Sequence, residues 1–212
     1  MNTSPTASPN LDAELSRVQR RTVQYWFGDG LAELVIGGGF LLLGLCLMLL
    51  GLVPLPGYAT FLPMVLMISF CLGGSHLIKK AKERVVYRRT GYISFRRPSP
   101  QRRWLTPLVA VAVSSLLVVL VGKAPALEVW VPAGLGLLMA GVFLRMNRSA
   151  QLGRLSTLAG VSALTGLLVS LHGDTGNLAG GIYFTVIGGV MSAGGALALR
   201  TYLKNAPPPE EP

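Results

Sequence analysis

Six long apolar runs divide the chain, and short polar segments separate them. The runs cover residues 31–52, 59–78, 105–121, 129–146, 155–171 and 178–199. Each is close to the roughly 17 to 25 residues with which a helix crosses the hydrocarbon core of a bilayer. The pattern predicts an all-α, polytopic membrane protein in which residues 30–204 form six transmembrane helices.

The composition agrees with a membrane class. Hydrophobic residues make up 51% of the chain and charged residues 13%, whereas soluble domains carry about 25% charged residues. An ordinary soluble domain is therefore excluded as the expected class.

Two polar segments flank the apolar region. Residues 8–27 place Leu11, Leu15 and Val18 on one face, with arginines opposite and aromatic residues at the end, which is typical of an amphipathic helix lying on the membrane. We therefore interpret residues 1–29 as a cytoplasmic tail with an interfacial helix; the alternative is an ordinary polar tail. Residues 205–212 are rich in proline and glutamate and are expected to be disordered.

The basic residues predict the orientation of the six runs. If all six cross the membrane, eighteen of the nineteen Lys and Arg residues fall on one side, and Lys123 alone falls on the other. Because positive residues collect in cytoplasmic loops, both flanking segments are expected in the cytoplasm. Three short loops would then lie outside.

The loop between the second and third runs, residues 79–104, is strongly basic and also holds aromatic residues. It suits anionic lipid headgroups, which attract cations beside the cytoplasmic leaflet; a protein partner is the alternative, and nucleic acid is not expected. The candidate contacts are Lys79, Lys80, Lys82, Arg84, Arg88, Arg89, Arg96, Arg97, Arg102 and Arg103.

Glycines recur at seven-residue intervals in the first and last runs. A seven-residue repeat keeps one stripe of a helix towards a neighbour, and glycine lets two backbones approach closely. We expect both stripes to be packing surfaces, within one chain or between copies in a homo-oligomer. The stripes are Gly30, Gly37, Gly44 and Gly51, and Gly181, Gly188 and Gly195.

Two acids near the start of the first run are the strongest candidates for chemistry. Asp29 and Glu33 are four residues apart and would share a helix face. Asp29 can cap the helix and Glu33 can pair with an arginine of the basic loop, but an acid inside a membrane segment is also a candidate proton or cation site. Both interpretations stay open at this point.

Other polar residues in the runs point to packing. Serines and threonines of the fifth and sixth runs, including Ser162 and Thr185, are expected to bond between helices. His76 and His172 fall on opposite sides of the membrane. No metal site, cofactor or enzymatic activity is expected.

Two segments carry a resemblance to a family. Tyr25-Trp26-x-x-Asp29-Gly30-Leu31-x-Glu33, together with the loop segment beginning Arg88-Arg89-Thr90, resembles uncharacterised bacterial multi-pass membrane proteins. The resemblance implies a bacterial inner-membrane setting and implies no activity.

The expected function is a non-enzymatic one. The basic loop and the amphipathic segment favour a membrane component that binds anionic lipid or a protein partner. The alternative is a small transporter or channel that uses Asp29 and Glu33.

Overall fold

The computed structural model describes residues 28–54, 56–85 and 123–205, and these residues are almost entirely helical. Five α-helices are present in them: α1 (Leu31–Leu52), α2 (Leu62–Val85), α3 (Val131–Ala150), α4 (Gly153–His172) and α5 (Gly176–Asn205). Two short 3-10 helices, Gly57–Phe61 and Pro125–Trp130, precede α2 and α3. No strand occurs in this part of the chain.

Each of these five helices is long and apolar enough to cross a membrane. They correspond to the first, second, fourth, fifth and sixth apolar runs, so the prediction of helices long and apolar enough to span a membrane is confirmed for the described residues. The third run, the interfacial helix at 8–27 and the tail at 206–212 lie outside the described residues.

Local chemistry explains where several helices start and end. Asp29 Oδ1 accepts a hydrogen bond from the Leu31 backbone N–H at 3.1 Å, which satisfies one of the free donors at the start of α1. Gly30 between them has φ 72°, a left-handed conformation that glycine adopts without strain. At the other end of the bundle, Gly173 ends α4 with φ 84°, the usual glycine stop of a helix.

Neighbouring helices run in opposite directions. Gly30, directly before α1, lies against Gly195 of α5, and Gly51 of α1 lies against Leu178. Asp29 contacts Lys82 at the end of α2. We call the end of the bundle at which α1 begins the charged end, and the other the opposite end. Helices α2, α3 and α5 finish at the charged end, and α4 begins there.

The two glycine stripes face each other along the contact between α1 and α5. A methyl group added to Gly37 would lie 2.6 Å from the Ser192 backbone nitrogen. Gly44 touches the backbone of Thr185, and Gly188 touches the backbone of Leu41. Since these neighbours are backbone atoms, the two helices are as close as glycine allows.

The other side of α5 packs on the hairpin formed by α3 and α4. Tyr183, Ile187 and Met191 of α5 are buried there with side chains of both helices, among them Phe143 and Leu155. Helix α5 therefore lies between α1 and the hairpin, and it joins the two parts of the bundle.

Large apolar side chains cover much of the outer surface. Leu72, Leu168 and Leu197 are each more than 60% exposed, whereas the closest contacts inside the bundle use glycine. This distribution is the reverse of that in a soluble domain and suits helices surrounded by lipid tails.

We predict that Gly188→Ala destabilises the protein and that Gly189→Ala does not. A methyl group at position 188 would meet the Leu41 backbone, whereas nothing lies within 4 Å of one at position 189. Overpacking at position 188 should lower the free energy of unfolding by on the order of 1 to 3 kcal/mol. The control should be neutral or stabilising, because alanine favours helix more than glycine does.

Thermal unfolding of both variants in the same detergent checks this expectation. Equal melting temperatures would mean that α1 and α5 do not depend on their close approach.

Candidate functional site

Two buried carboxylates lie at the charged end, where α1 begins. The Asp29 side chain is 3% exposed, and its Oδ2 lies 2.8 Å from Lys82 Nζ, whose side chain is 2% exposed. The second carboxylate oxygen of Asp29 caps α1. One side chain thus begins α1 and fixes the end of α2 against it.

Glu33 forms a second ion pair, one turn into α1. Its Oε1 lies 2.9 Å from Arg154 Nε, and the Glu33 side chain is 1% exposed while that of Arg154 is 25% exposed. Neither Glu33 oxygen accepts a well-directed hydrogen bond from the described residues. This ion pair joins the start of α4 to α1.

Glu33 has a partner that the expected pairing with the basic loop did not name. It pairs with Arg154 of α4, and the loop arginines at positions 88 to 103 lie outside the described residues. The sequence offered a signal for Arg154, since it is the last basic residue before the fifth run and falls on the same side of the membrane as Glu33. The pairing also requires α4 to lie near α1, and this proximity is a property of the tertiary structure.

Lys82 also differs from its expected role as a lipid or partner contact. Because its side chain is buried against Asp29, it is not available to headgroups. Helix α2 continues through this part of the loop to Val85, so successive residues point in different directions and only some face outward. Lys79, Lys80 and Arg84 are exposed. The other six candidate contacts, at positions 88 to 103, lie outside the described residues.

Hydroxyl groups connect helices in the interior of the bundle. The Ser162 hydroxyl lies 2.8 Å from the Tyr183 hydroxyl and donates to the Gly136 carbonyl at 3.0 Å. Ser170 Oγ accepts from the Ala133 backbone N–H at 3.0 Å. These contacts tie α4 to α3 and α5, and Tyr183 was not anticipated as a partner because a tyrosine in an apolar run resembles a packing residue.

Candidate metal ligands are scattered in the described part of the chain. There, no three His, Cys, Asp or Glu side chains lie close enough together to hold a metal ion. Cys46 is buried, Cys71 is exposed, and both are free. Comparison of the chain with models of protein families, with curated proteins and with solved structures finds no match.

The arrangement is suited to holding helices together. Two acids of one segment attract two cations from two other helices, and each buried charge has a counter-charge. Burial of an isolated charge would be strongly unfavourable. The Asp29 and Glu33 pairs therefore fix three helix ends at the same end of the bundle.

A double-mutant cycle on Asp29 and Lys82 tests the strength of this attachment. Asp29→Asn keeps an oxygen that can cap α1 but removes the carboxylate that lies 2.8 Å from the buried Lys82, so we expect a loss of about 3 kcal/mol in the free energy of unfolding. Lys82→Met leaves Asp29 uncompensated and should cost a similar amount.

The double variant Asp29→Asn with Lys82→Met should be markedly more stable than the sum of the single effects predicts. Lys80→Met, an exposed lysine of the same helix, is the matched control and should have little effect. Additive losses in thermal or denaturant unfolding would show that the two side chains are not coupled.

Proposed function

We propose that the chain is a multi-pass protein of the bacterial inner membrane that acts by binding anionic lipid headgroups on its cytoplasmic face, without enzymatic activity. In this proposal the chain crosses the membrane six times. The segments before the first and after the last span lie in the cytoplasm.

The ends of the described helices support a sixth crossing. Helix α2 ends at the charged end, where Lys82 meets Asp29. Helix α3 begins at the opposite end, where Ala133 bonds to Ser170 near the end of α4. Residues 86–122, which include the third apolar run, connect these two ends.

The placement of exposed cations is the observation that carries the functional proposal. Among the described residues, seven exposed basic side chains stand at the charged end, whereas Lys123 stands at the opposite end. Since each cation near an anionic leaflet contributes about 1 kcal/mol, this asymmetry favours attraction of the charged end to anionic lipid. The seven are Lys79, Lys80, Arg84, Arg145, Arg148, Arg200 and Lys204.

The buried ion pairs favour this proposal over a transporter that uses Asp29 and Glu33. Both carboxylates already face a cation of the same chain. A site that takes up ions in turn would have to break these contacts. The exposed cations face outward and can meet a headgroup without any rearrangement.

Cysteine labelling tests the orientation. In a chain with Cys46→Ala and Cys71→Ala, Thr175→Cys lies in the exposed turn between α4 and α5 and should react in intact cells with a thiol reagent that does not cross membranes. Lys204→Cys should react only after the cells are opened. The reverse pattern would contradict a cytoplasmic charged end.

The same background tests the sixth crossing. Gly122→Cys should react from outside and Ser94→Cys should not. Reaction of both positions from one side would mean that the intervening segment does not span the membrane.

Lipid selectivity tests the functional proposal. In bilayers of phosphatidylglycerol and phosphatidylcholine, electron spin resonance of labelled lipids measures which lipid the protein surface prefers. The triple variant Lys79→Gln, Lys80→Gln and Arg84→Gln removes at most about 3 kcal/mol of attraction at low salt, and less where salt screens it. Its preference for phosphatidylglycerol should fall clearly.

Lys123→Gln is the control at the opposite end and should keep the preference of the unmodified chain. If the unmodified chain shows no preference for phosphatidylglycerol, a lipid-binding role is wrong, and a protein partner for the basic face becomes the alternative.

A further inference from the structure

A groove opens on the bundle surface at the charged end, between the start of α1 and the last turns of α5. The groove is shallow and open to the surroundings, and its volume is about 370 Å³. Its lining is Leu34, Ala196, Leu199, Arg200, Leu203 and Lys204. The groove is therefore apolar along its length and cationic at one end.

Packing in this region explains the shape of the groove. The close contact of Gly30 with Gly195 and Ala198 draws the two helices together. Ala196 follows this contact on α5 and fills little space, so the larger side chains of Leu34 and Leu199 form walls beside it. A shallow apolar groove of this kind can lie against a flexible hydrocarbon chain.

The length of α5 places the cations at headgroup level. Its 30 residues extend about 45 Å at 1.5 Å per residue, which exceeds the roughly 30 Å of a hydrocarbon core. Arg200 and Lys204 lie in the last turns, are both exposed, and are four residues apart, so they share a face of the helix. They stand above the apolar part of the groove.

The geometry points to a discrete site for one anionic phospholipid in this groove. An acyl chain lies along Leu34 and Ala196, and the phosphate lies between Arg200 and Lys204. An arginine guanidinium binds phosphate through two parallel N–H donors, and a lysine supplies a point charge. Two cations beside an apolar groove complement an anionic headgroup with its attached acyl chain.

The inference rests on the proposed function for the orientation of the charged end in the membrane. It goes further in one respect: general attraction to a basic face enriches many lipids weakly, whereas a groove retains one lipid through its chain and its headgroup together. Lys79 and Lys80 belong to α2 and do not line the groove, so the two effects can be separated by mutation.

Native mass spectrometry of the full chain, released from nanodiscs of phosphatidylglycerol and phosphatidylcholine, tests the site. The unmodified chain should retain one phosphatidylglycerol molecule in preference to phosphatidylcholine. Arg200→Gln with Lys204→Gln should weaken retention on the order of 30-fold at low salt. Lys123→Gln, which removes an exposed cation at the opposite end, should retain the lipid as the unmodified chain does.

A second pair of variants tests the apolar part of the groove without changing the charge of the protein. Ala196→Phe fills the groove and should abolish retention, whereas Ala193→Phe adds the same volume at an exposed position outside the lining and should preserve it. Thermal unfolding shows whether both variants fold. If Ala196→Phe does not fold, the charge variants decide the question.

Three results would overturn the site: equal retention of both lipids, retention unchanged in Ala196→Phe, or retention unchanged in the charge variants. Absence of bound lipid in the unmodified chain would also overturn it. In that case, loss of stability in Ala196→Phe would assign the groove to a segment of the chain itself, and loss of a dimer mass would assign it to a second copy.

The proposed function fails separately. One retained phosphatidylglycerol without any general preference for that lipid at the protein surface would leave the groove site standing and contradict the wider role of the basic face.

Discussion

The close approach of α1 and α5 is the contact on which the rest of the bundle depends. Where Gly44 meets Thr185 and Gly188 meets Leu41, no side chain separates the two backbones. In lipid, apolar side chains gain little by leaving one apolar surrounding for another, so association relies on such contact and on polar bonds. The glycine stripes form this contact, and they fix the axial register between the two helices.

The axial register of α1 and α5 determines how the other helices can pack. With one side occupied by α1, α5 presents Tyr183 to Ser162 of α4, and the α3–α4 hairpin packs there. The start of α1 is then near the start of α4, which brings Glu33 within reach of Arg154. The ion pairs at the charged end are consequences of the packing as well as contributions to it.

Hydrophobicity along the chain predicts the described helices well but not all of their ends. The first run coincides with Leu31–Leu52, whereas the helix of the second continues to Val85 and that of the last to Asn205. The length of an apolar run reflects the thickness of the hydrocarbon core that a helix would cross. Backbone hydrogen bonds hold a helix beyond it, and Lys and Arg are good helix formers, so these two helices continue past their apolar runs.

The sequence predicted the residue types of the candidate site better than it predicted which acid pairs with which cation. Position in the chain placed Asp29, Glu33, Lys82 and Arg154 at one end of the bundle, because membrane helices alternate in direction. Which acid meets which cation depends on which helices are neighbours and on how each is rotated. Neither follows from a single sequence, so Arg154 could not be identified in advance as the partner of Glu33.

The partners of α1 also have a consequence for the order of synthesis. A ribosome adds about 5 to 20 residues per second, so Glu33 is synthesised on the order of ten seconds before Arg154. Thr185, the partner of Gly44, is synthesised later still. Helix α1 therefore exists well before its partner α5, and a chain interrupted after α4 would leave the glycine stripe of α1 uncovered. Such a chain would be a natural target for membrane chaperones and proteases.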